Sequence, residues 1–414
     1  MAARQDPTAL APVAAGIESV ETGPAMPRRL SRCLNLDDLR RLARRRMPRA
    51  LFDYIDGGAE DLVTLSDNRR AFDGYRLVPK MLRDVGRVET ARTVLNTRSR
   101  LPLMLSPTAM SRLFHCQGER AVARAAGRAG LPYTLSTISS VSIEEIGAIP
   151  GPKWFQLYVY KDRDLVRGLV ERARAAGFSA LVVTADAHIA GNRELDLRNG
   201  LTVPPRVGPG LVWQGIRHPA WSWDFVTSAP ITTANVAGGG PTLGGRAGSL
   251  SLLSYLNEQL DESLDWEAIG WLRRFWDGPI LVKGIMDPGD VAHARAHGCA
   301  GVVVSNHGGR QLDSAPSALQ MLPEVRAEAG SDMAVLIDGG VRRGTDVLKA
   351  VALGADAVMV GRPYLYGLGA GGEAGVDRAL AILGAEIVRD LQLMGVADVA
   401  QLGADDLRPA PAVG

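Results

Sequence analysis

A histidine and an arginine three residues apart, His307 and Arg310, lie in Ser305-Asn306-His307-Gly308-Gly309-Arg310-Gln311-Leu312-Asp313, directly after the apolar run Gly301-Val302-Val303-Val304. Histidine exchanges a proton near neutral pH, arginine can hold a carboxylate through two parallel hydrogen bonds, and glycines let the backbone approach a ligand. A buried strand that opens into such a loop suits an acidic small molecule. Five other histidines compete for the role. His293 and His297 fall in a helical stretch, and His115 and His218 have no converging carboxylate and arginine. His188, two residues after Asp186, is the closest rival and is assigned to an insertion.

The elements that must position this loop are legible from residue 100 onward. Short β-rich apolar runs alternate with Ala- and Arg-rich helical stretches: 101–106, 131–136, 154–159, 180–186, 279–284, 301–305, 334–338 and 357–361. Eight βα units predict an α/β fold, a TIM (β/α)8 barrel, with its chemistry at the C-terminal ends of the strands. Polar residues gather at those ends: Pro107-Thr108-Ala109, Ser136, Gln156 with Tyr158, Thr184 with Asp186, Lys283, Ser305 with His307, Asp338-Gly339-Gly340, and Gly361-Arg362.

The last two strand ends add Arg342 and Arg362 to glycine backbone at Gly340 and Gly361, which predicts a phosphate grip. With the amine of Lys283 and the amide and hydroxyls of Gln156, Thr184 and Ser136, the rim suits flavin mononucleotide. A structural ion pair of Lys283 with Asp186 or Asp338 is the plainer alternative. No glycine-rich Rossmann opening suggests a nicotinamide partner.

Residues 1–30 read as an Ala-, Pro- and Gly-rich tail and 401–414 as a C-terminal tail, flanking one domain over 31–400. Within it, Asn35 caps a helix running through Arg46, and Pro48 opens a second ending near Gly57-Gly58. The arginines 40, 41, 44, 45, 46 and 49 on this hairpin suit a solvated face or, alternatively, anionic lipid. An insertion of about 187–262 between the fourth and fifth strands carries Trp213, Trp221, Trp223 and Phe225, read as a lid ahead of a lipid anchor. The chain of 414 residues is 46% hydrophobic and 22% charged with net charge +2. That balance recruits no nucleic acid. Three scattered cysteines predict reduced thiols and no metal site, and no membrane span or signal peptide is evident, so a cytoplasmic protein is expected, able to touch the inner face of the cell membrane.

Leu105-Ser106-Pro107-Thr108-Ala109-Met110, Trp154-Phe155-Gln156-Leu157-Tyr158, Leu281-Val282-Lys283-Gly284, the His307 run and Asp338-Gly339-Gly340-Val341-Arg342-Arg343-Gly344 together resemble the FMN-dependent L-2-hydroxy acid dehydrogenases and oxidases, in order over about 31–400. The resemblance implies FMN as cofactor and oxidation of an L-2-hydroxy acid to a 2-keto acid, with hydride passing to flavin N5 and His307 as base. Asp186 would steady the imidazolium, which agrees with the general effect of a neighbouring carboxylate. Tyr54 and Arg310 would bind the substrate carboxylate, Arg193 would assist, and Tyr158 would contact the hydroxyl. The same resemblance implies a homotetramer. Aliphatic residues of moderate size at Met110 and Ile138, which suggest a small apolar pocket, favour L-lactate, with (S)-mandelate second and an oxygen-using oxidase as a further alternative. The hairpin and the insertion favour a membrane quinone or cytochrome as acceptor. A different FMN barrel enzyme, or a non-catalytic scaffold, would not require His307, Arg310, Tyr54 and Tyr158 together.

Overall fold

The computed structural model describes residues 24–200, 209–236 and 258–411. Eight parallel strands close into a barrel: β1 (Leu103–Leu105), β2 (Tyr133–Ser136), β3 (Lys153–Leu157), β4 (Leu181–Thr184), β5 (Ile280–Ile285), β6 (Gly301–Val304), β7 (Ala334–Asp338) and β8 (Ala357–Val360), each paired with the next and β8 with β1. Each falls inside or within a residue of its expected run. The strands are buried on both faces, as parallel strands under a helical layer must be. Met104, Trp154, Val182, Leu281, Val303, Leu336 and Met359 fill the barrel interior, and the hairpin Arg92–Val94/Thr97–Ser99 closes its N-terminal end with Val94. The indole N–H of Trp154 donates to Thr97 Oγ1 at 3.0 Å, so the largest interior side chain leaves no donor unpaired.

The expected helical hairpin is present as Leu36–Arg46 and Arg49–Asp56, the first capped by Asn35, whose side chain accepts from the Asp38 N–H at 2.9 Å. Its buried face, Leu36, Leu39 and Ala43, lies against the long helical segment Arg362–Met394, where Met47 meets Gly369. Non-helical geometry at Gly371 and Gly372 kinks that segment into two helices. Four of the six hairpin arginines are engaged within the protein: Arg40 with Asp56, Arg41 with Asp37 and Asp38, Arg46 with Asp224, Arg49 with Asp53. Arg44 and Arg45 remain as the exposed pair.

Both expected tails are shorter than the sequence suggested. Leu30 is fully buried on the helix Arg28–Ser31. At the other end Leu407–Pro409 pairs antiparallel with Tyr75–Leu77, and the buried Asp406 forms an ion pair with Lys80 at 2.5 Å, so polar composition there conceals a packed edge. Residues 1–23 and 412–414 of those tails lie outside the described residues, as do 201–208 and 237–257 of the insertion.

Candidate active site

The His307 loop divides its work by side chain. Asn306 exchanges amide hydrogen bonds with Asn68 at 2.7 and 2.9 Å, and Asp313 accepts from the N–H groups of Val63 and Thr64, capping the helix Val63–Arg70. Gln311 donates to the carbonyls of Asp186 and Ile189 at 2.8 Å each, lashing the loop after β6 to the loop after β4. With those residues committed to structure, His307 and Arg310 are left facing the cavity.

That cavity, of about 570 Å³, opens at the C-terminal ends of the strands. It is lined by Tyr54, Pro107, Thr108, Ala109, Ser136, Gln156, Tyr158, Thr184, Arg193, Lys283, His307, Arg310, Asp338, Gly340, Arg342, Gly361 and Arg362. Of the residues singled out from sequence, Asp186 and Ser305 alone stand behind its wall. Asp186 Oδ1 lies 2.9 Å from His307 Nδ1, and Ser305 Oγ sits between Lys283 Nζ at 2.8 Å and Asp338 at 2.6 Å. The Ser305 hydroxyl, expected from the sequence among the cofactor-binding groups, is engaged by the lysine and the aspartate and accepts from the His307 N–H at 3.1 Å. Gly284, at φ +109°, interrupts the register of β5, and a Cβ there would lie 2.6 Å from that of Asp186. A side chain at 284 would displace the carboxylate that orients His307.

With Nδ1 against a carboxylate, the imidazole carries its proton there and presents Nε2 as the acceptor. Burial works against the Asp186 carboxylate, but the charges of His307 and Lys283 outweigh it and hold the group below its ordinary value. Burial likewise opposes the Lys283 ammonium, yet Asp338 and Asp186 raise it above the ordinary amine value, and it pairs with Asp338 at 3.1 Å. The plainer reading of Lys283 as an ion-pair partner thus holds alongside its place in the cavity wall. Burial, with the Asp186 charge second, pushes Tyr158 up to about 12, so its phenol stays protonated.

At the substrate end, the Arg310 guanidinium stacks 4.8 Å from the Tyr54 ring and donates to the carbonyls of Tyr54 and Gly57 at 2.7 and 3.2 Å. Arg193 Nε is buried with no acceptor among the described residues. At the opposite end, Arg362 donates to the carbonyls of Ile55, Gly308 and Gly57 at 2.8, 3.1 and 2.7 Å, and burial pulls it down to about 10, which leaves it cationic at neutral pH. Arg342 stacks over Tyr366 at 5.6 Å. The helix beginning at Arg362 points its N-terminus at the same end, and Gly339 and Gly340 bare their backbone at positive φ.

Several groups here fit a phosphorylated flavin. Ser106 Oγ is buried at the cavity wall with no partner among the described residues. Gln156 accepts from Ser136 Oγ and donates to Thr184 Oγ1, both at 3.0 Å, so an amide and two hydroxyls converge on one edge. Cationic and backbone donors gather at one end, hydrogen-bonding groups along one side and a proton acceptor at the other end. The donor set accommodates FMN.

The other histidines stand apart from the cavity: His188 is exposed, and His293 and His297 stack on Trp266. His115, Cys116 and Asp224 bring ligating atoms within 4.8 Å, but Arg46 pairs with Asp224, and burial first, then the charges of Arg46 and Arg29, oppose a cation at His115. Trp213, Trp221, Trp223 and Phe225 do not line the cavity; Trp221 stacks on Phe225 and donates to the Leu113 carbonyl, so the described aromatics sit beside the mouth and do not close it. Sequence reasoning missed Leu51, Phe114, Asp196 and Leu197 in the wall. Asp196 had a signal: it stands three residues after Arg193, one helical turn away.

Barrel and site together define an enzyme that pairs a phosphate-bearing cofactor with a small carboxylate. Residues 43–409 match the model of the FMN-dependent dehydrogenase family. The chain is 42% identical over 376 residues to the (S)-mandelate dehydrogenase of Pseudomonas putida, covering 90% of this chain and 93% of that one. It is 42% identical over 367 residues to an L-lactate dehydrogenase of Caulobacter vibrioides, covering 88% and 95%. A crystal structure of (S)-mandelate dehydrogenase, described as a monotopic membrane protein, superposes with a TM-score of 0.86 at 41% identity over 92% of this chain and 100% of that one. The chain belongs to the FMN-dependent dehydrogenase family; it is an oxidoreductase, and its cofactor is FMN.

Proposed function

We propose that the protein oxidises an L-2-hydroxy acid to the 2-keto acid, with L-lactate to pyruvate as the leading assignment. The observation that carries this reading is the His307–Asp186 contact of 2.9 Å in a mouth that also holds Arg310, Arg193, Tyr54 and Tyr158. His307 Nε2 takes the substrate hydroxyl proton, and Asp186 stabilises the imidazolium that results. Arg310 and Arg193 hold the substrate carboxylate beside Tyr54, which fixes C2 relative to the base. Tyr158, kept protonated by burial, donates to the substrate hydroxyl oxygen. FMN, when bound, supplies the two-electron acceptor for the C2 hydrogen. Arg342, Arg362 and the backbone of Gly340 and Gly361 would hold its phosphate; Ser136, Gln156 and Thr184 would take its pyrimidine edge, Pro107, Thr108 and Ala109 would back the ring, and Lys283, set by Ser305 and Asp338, would offset negative charge there.

Met110 and Ile138 make an aliphatic wall that suits the methyl group of lactate. Leu51, Phe114 and Leu197 extend that wall, which supports (S)-mandelate as the second reading. Anaerobic addition of L-lactate, D-lactate and (S)-mandelate to the purified yellow protein tests both. Bleaching by L-lactate supports the first, bleaching by mandelate alone promotes the second, and an unbleached flavin with every L-2-hydroxy acid overturns the reading.

The catalytic unit is the single domain expected over 31–400, with packed edges that reach Leu30 and Pro409, carrying the insertion 187–262, and it assembles as a homotetramer. Among the described residues no helix is long and apolar enough to cross a membrane. The insertion helices Pro209–Arg217 and Pro219–Thr227 nevertheless expose Trp213, Ile216, Trp223 and Val226 by 60–70% of their surface, and Arg46–Asp224 joins them to the hairpin bearing Arg44 and Arg45. Apolar side chains next to exposed arginines suit peripheral attachment to the anionic inner face of the cell membrane, with a quinone or cytochrome there as electron acceptor. Replacing Trp213 and Trp223 by serine is expected to abolish co-flotation with anionic vesicles while leaving turnover with a soluble dye acceptor intact.

A further inference from the structure

Asp196 is a buried carboxylate that the proposed chemistry leaves unused. It lines the same cavity as Arg193, Arg310 and His307 and is 9% exposed. No side-chain hydrogen bond reaches its carboxylate among the described residues, and its oxygens are open to the cavity, not sealed in the protein. Its place is fixed by its surroundings. The helix Glu194–Arg198 starts at Arg193, whose carbonyl accepts from the Asp196 N–H at 3.0 Å. Asn199 binds Asp53 at 3.0 Å, Gly191 N–H binds Gln311 at 3.0 Å, and the Asn192 carbonyl accepts from Glu60 N–H at 3.0 Å. The segment is thus tied to the N-terminal helix and to the His307 loop.

Burial raises the Asp196 carboxyl above its ordinary value, the charges of Arg310 in the loop after β6 and Arg193 on its own segment oppose that rise, and Asp53 on the helix Arg49–Asp56 adds to it. The arginines also act on each other, Arg193 lowering Arg310 and Asp196 opposing that effect. Two cations and one anion therefore line the lobe in which a substrate carboxylate is to be held, with Asp53 outside the lining and engaged by Arg49 and Asn199.

Resting on the proposed hydroxy acid chemistry, we propose that Asp196 is a built-in counter-anion for the Arg193–Arg310 pair, which competes with the substrate carboxylate and sets the affinity of the site for 2-hydroxy and 2-keto acid anions as a function of pH. Without substrate, Asp196 offsets the mutual repulsion of the arginines. An arriving carboxylate meets the same cations and a like charge, which favours proton uptake by Asp196. By linkage, protonation of Asp196 tightens anion binding, so affinity falls as pH rises through its titration. The same competition speeds departure of the 2-keto acid product, which carries the same carboxylate.

Calorimetric titration of the oxidised holoenzyme with pyruvate tests this from about pH 5 to about pH 8, where the ligand carboxylate stays ionised. D196N, a neutral isostere, is expected to bind pyruvate roughly tenfold more tightly at the upper end, the size of one like charge removed at several ångströms, and to lose most of the pH dependence. D196E, which keeps the charge, should retain the wild-type slope. Flavin content and circular dichroism confirm that each variant is folded. A D196N protein that binds no tighter than wild type with the same pH slope overturns the proposal, as does weaker binding in both variants, the mark of a structural role. Pyruvate binding that is detected in D196N alone supports it, and absence from both refutes it. The hydroxy acid reading fails separately, through an unbleached flavin, because pyruvate binding is scored without turnover.

Discussion

The two ends of the cavity are built on different terms. At the end formed by β7 and β8, Arg362 is held by three main-chain carbonyls, of Ile55 and Gly57 at the end of the N-terminal helix and of Gly308 in the His307 loop, and Arg342 rests on the Tyr366 ring. At the other end Arg193 Nε has no acceptor, Asp196 has no hydrogen-bond donor among the described residues, and the side chains come from the N-terminal hairpin, the insertion and the His307 loop. A cofactor that stays bound is met by groups fixed in advance. On the proposed reading, a substrate that must come and go meets Arg193 and Asp196, charged groups with unused hydrogen-bonding capacity on a segment outside the barrel, beside an Arg310 that two carbonyls already hold. The comparison teaches that retention and exchange of ligands can be assigned to separate parts of one mouth.

Substitutions at the two ends should therefore fail differently. The largest effect is expected from His307→Ala, a fall in kcat of roughly 10²–10⁴-fold with flavin content unchanged; a variant that purifies colourless would erase the distinction between the ends. Arg362→Ala strips three carbonyls of their donor, and we expect it to lose most of its FMN on gel filtration, read as the ratio of flavin to protein absorbance. Arg310→Lys should raise KM by about 10-fold, because an ammonium cannot reproduce the two-pronged grip, with a smaller change in kcat. A larger loss of kcat than of affinity would move Arg310 from holding substrate to assisting the reaction.

A smaller effect is expected at high pH. Tyr158 is pushed up to about 12 in the folded protein, against about 10 for a free phenol. A raised value means that its contribution to stability is complete below about pH 10 and disappears as the pH climbs towards 12. The difference in tyrosinate absorbance between wild type and Tyr158→Phe should consequently emerge only near that upper limit, and a Tyr158 signal near pH 10 would mean that its environment is wet.

Periodicity was sufficient for the barrel, because buried parallel strands read as unbroken apolar runs and their polar ends share one rim. The same logic drew Lys283, Gln156 and Arg362 to one cavity. It could not assign Asn306 or Asp313, whose partners Asn68 and Thr64 lie 238 and 249 residues away. Nor could it see that Ser305 is consumed by Lys283 and Asp338, or that Asp196 turns inward from a short polar helix, since both depend on three-dimensional neighbours. The C-terminal edge was misread for a related reason: Leu407–Pro409 has no local pattern and gains order by pairing with Tyr75–Leu77.

The carbonyls that receive Arg310 and Arg362 all but one belong to residues 54–57, where the N-terminal helix ends. The barrel's own cations are thus latched shut by a segment made long before them during synthesis. Two consequences follow for anyone cutting or permuting this chain: a fragment starting at the first barrel strand would carry at its mouth two guanidinium groups stripped of most of their carbonyl acceptors, and the early segment has to wait, unsealed, until the eighth strand arrives.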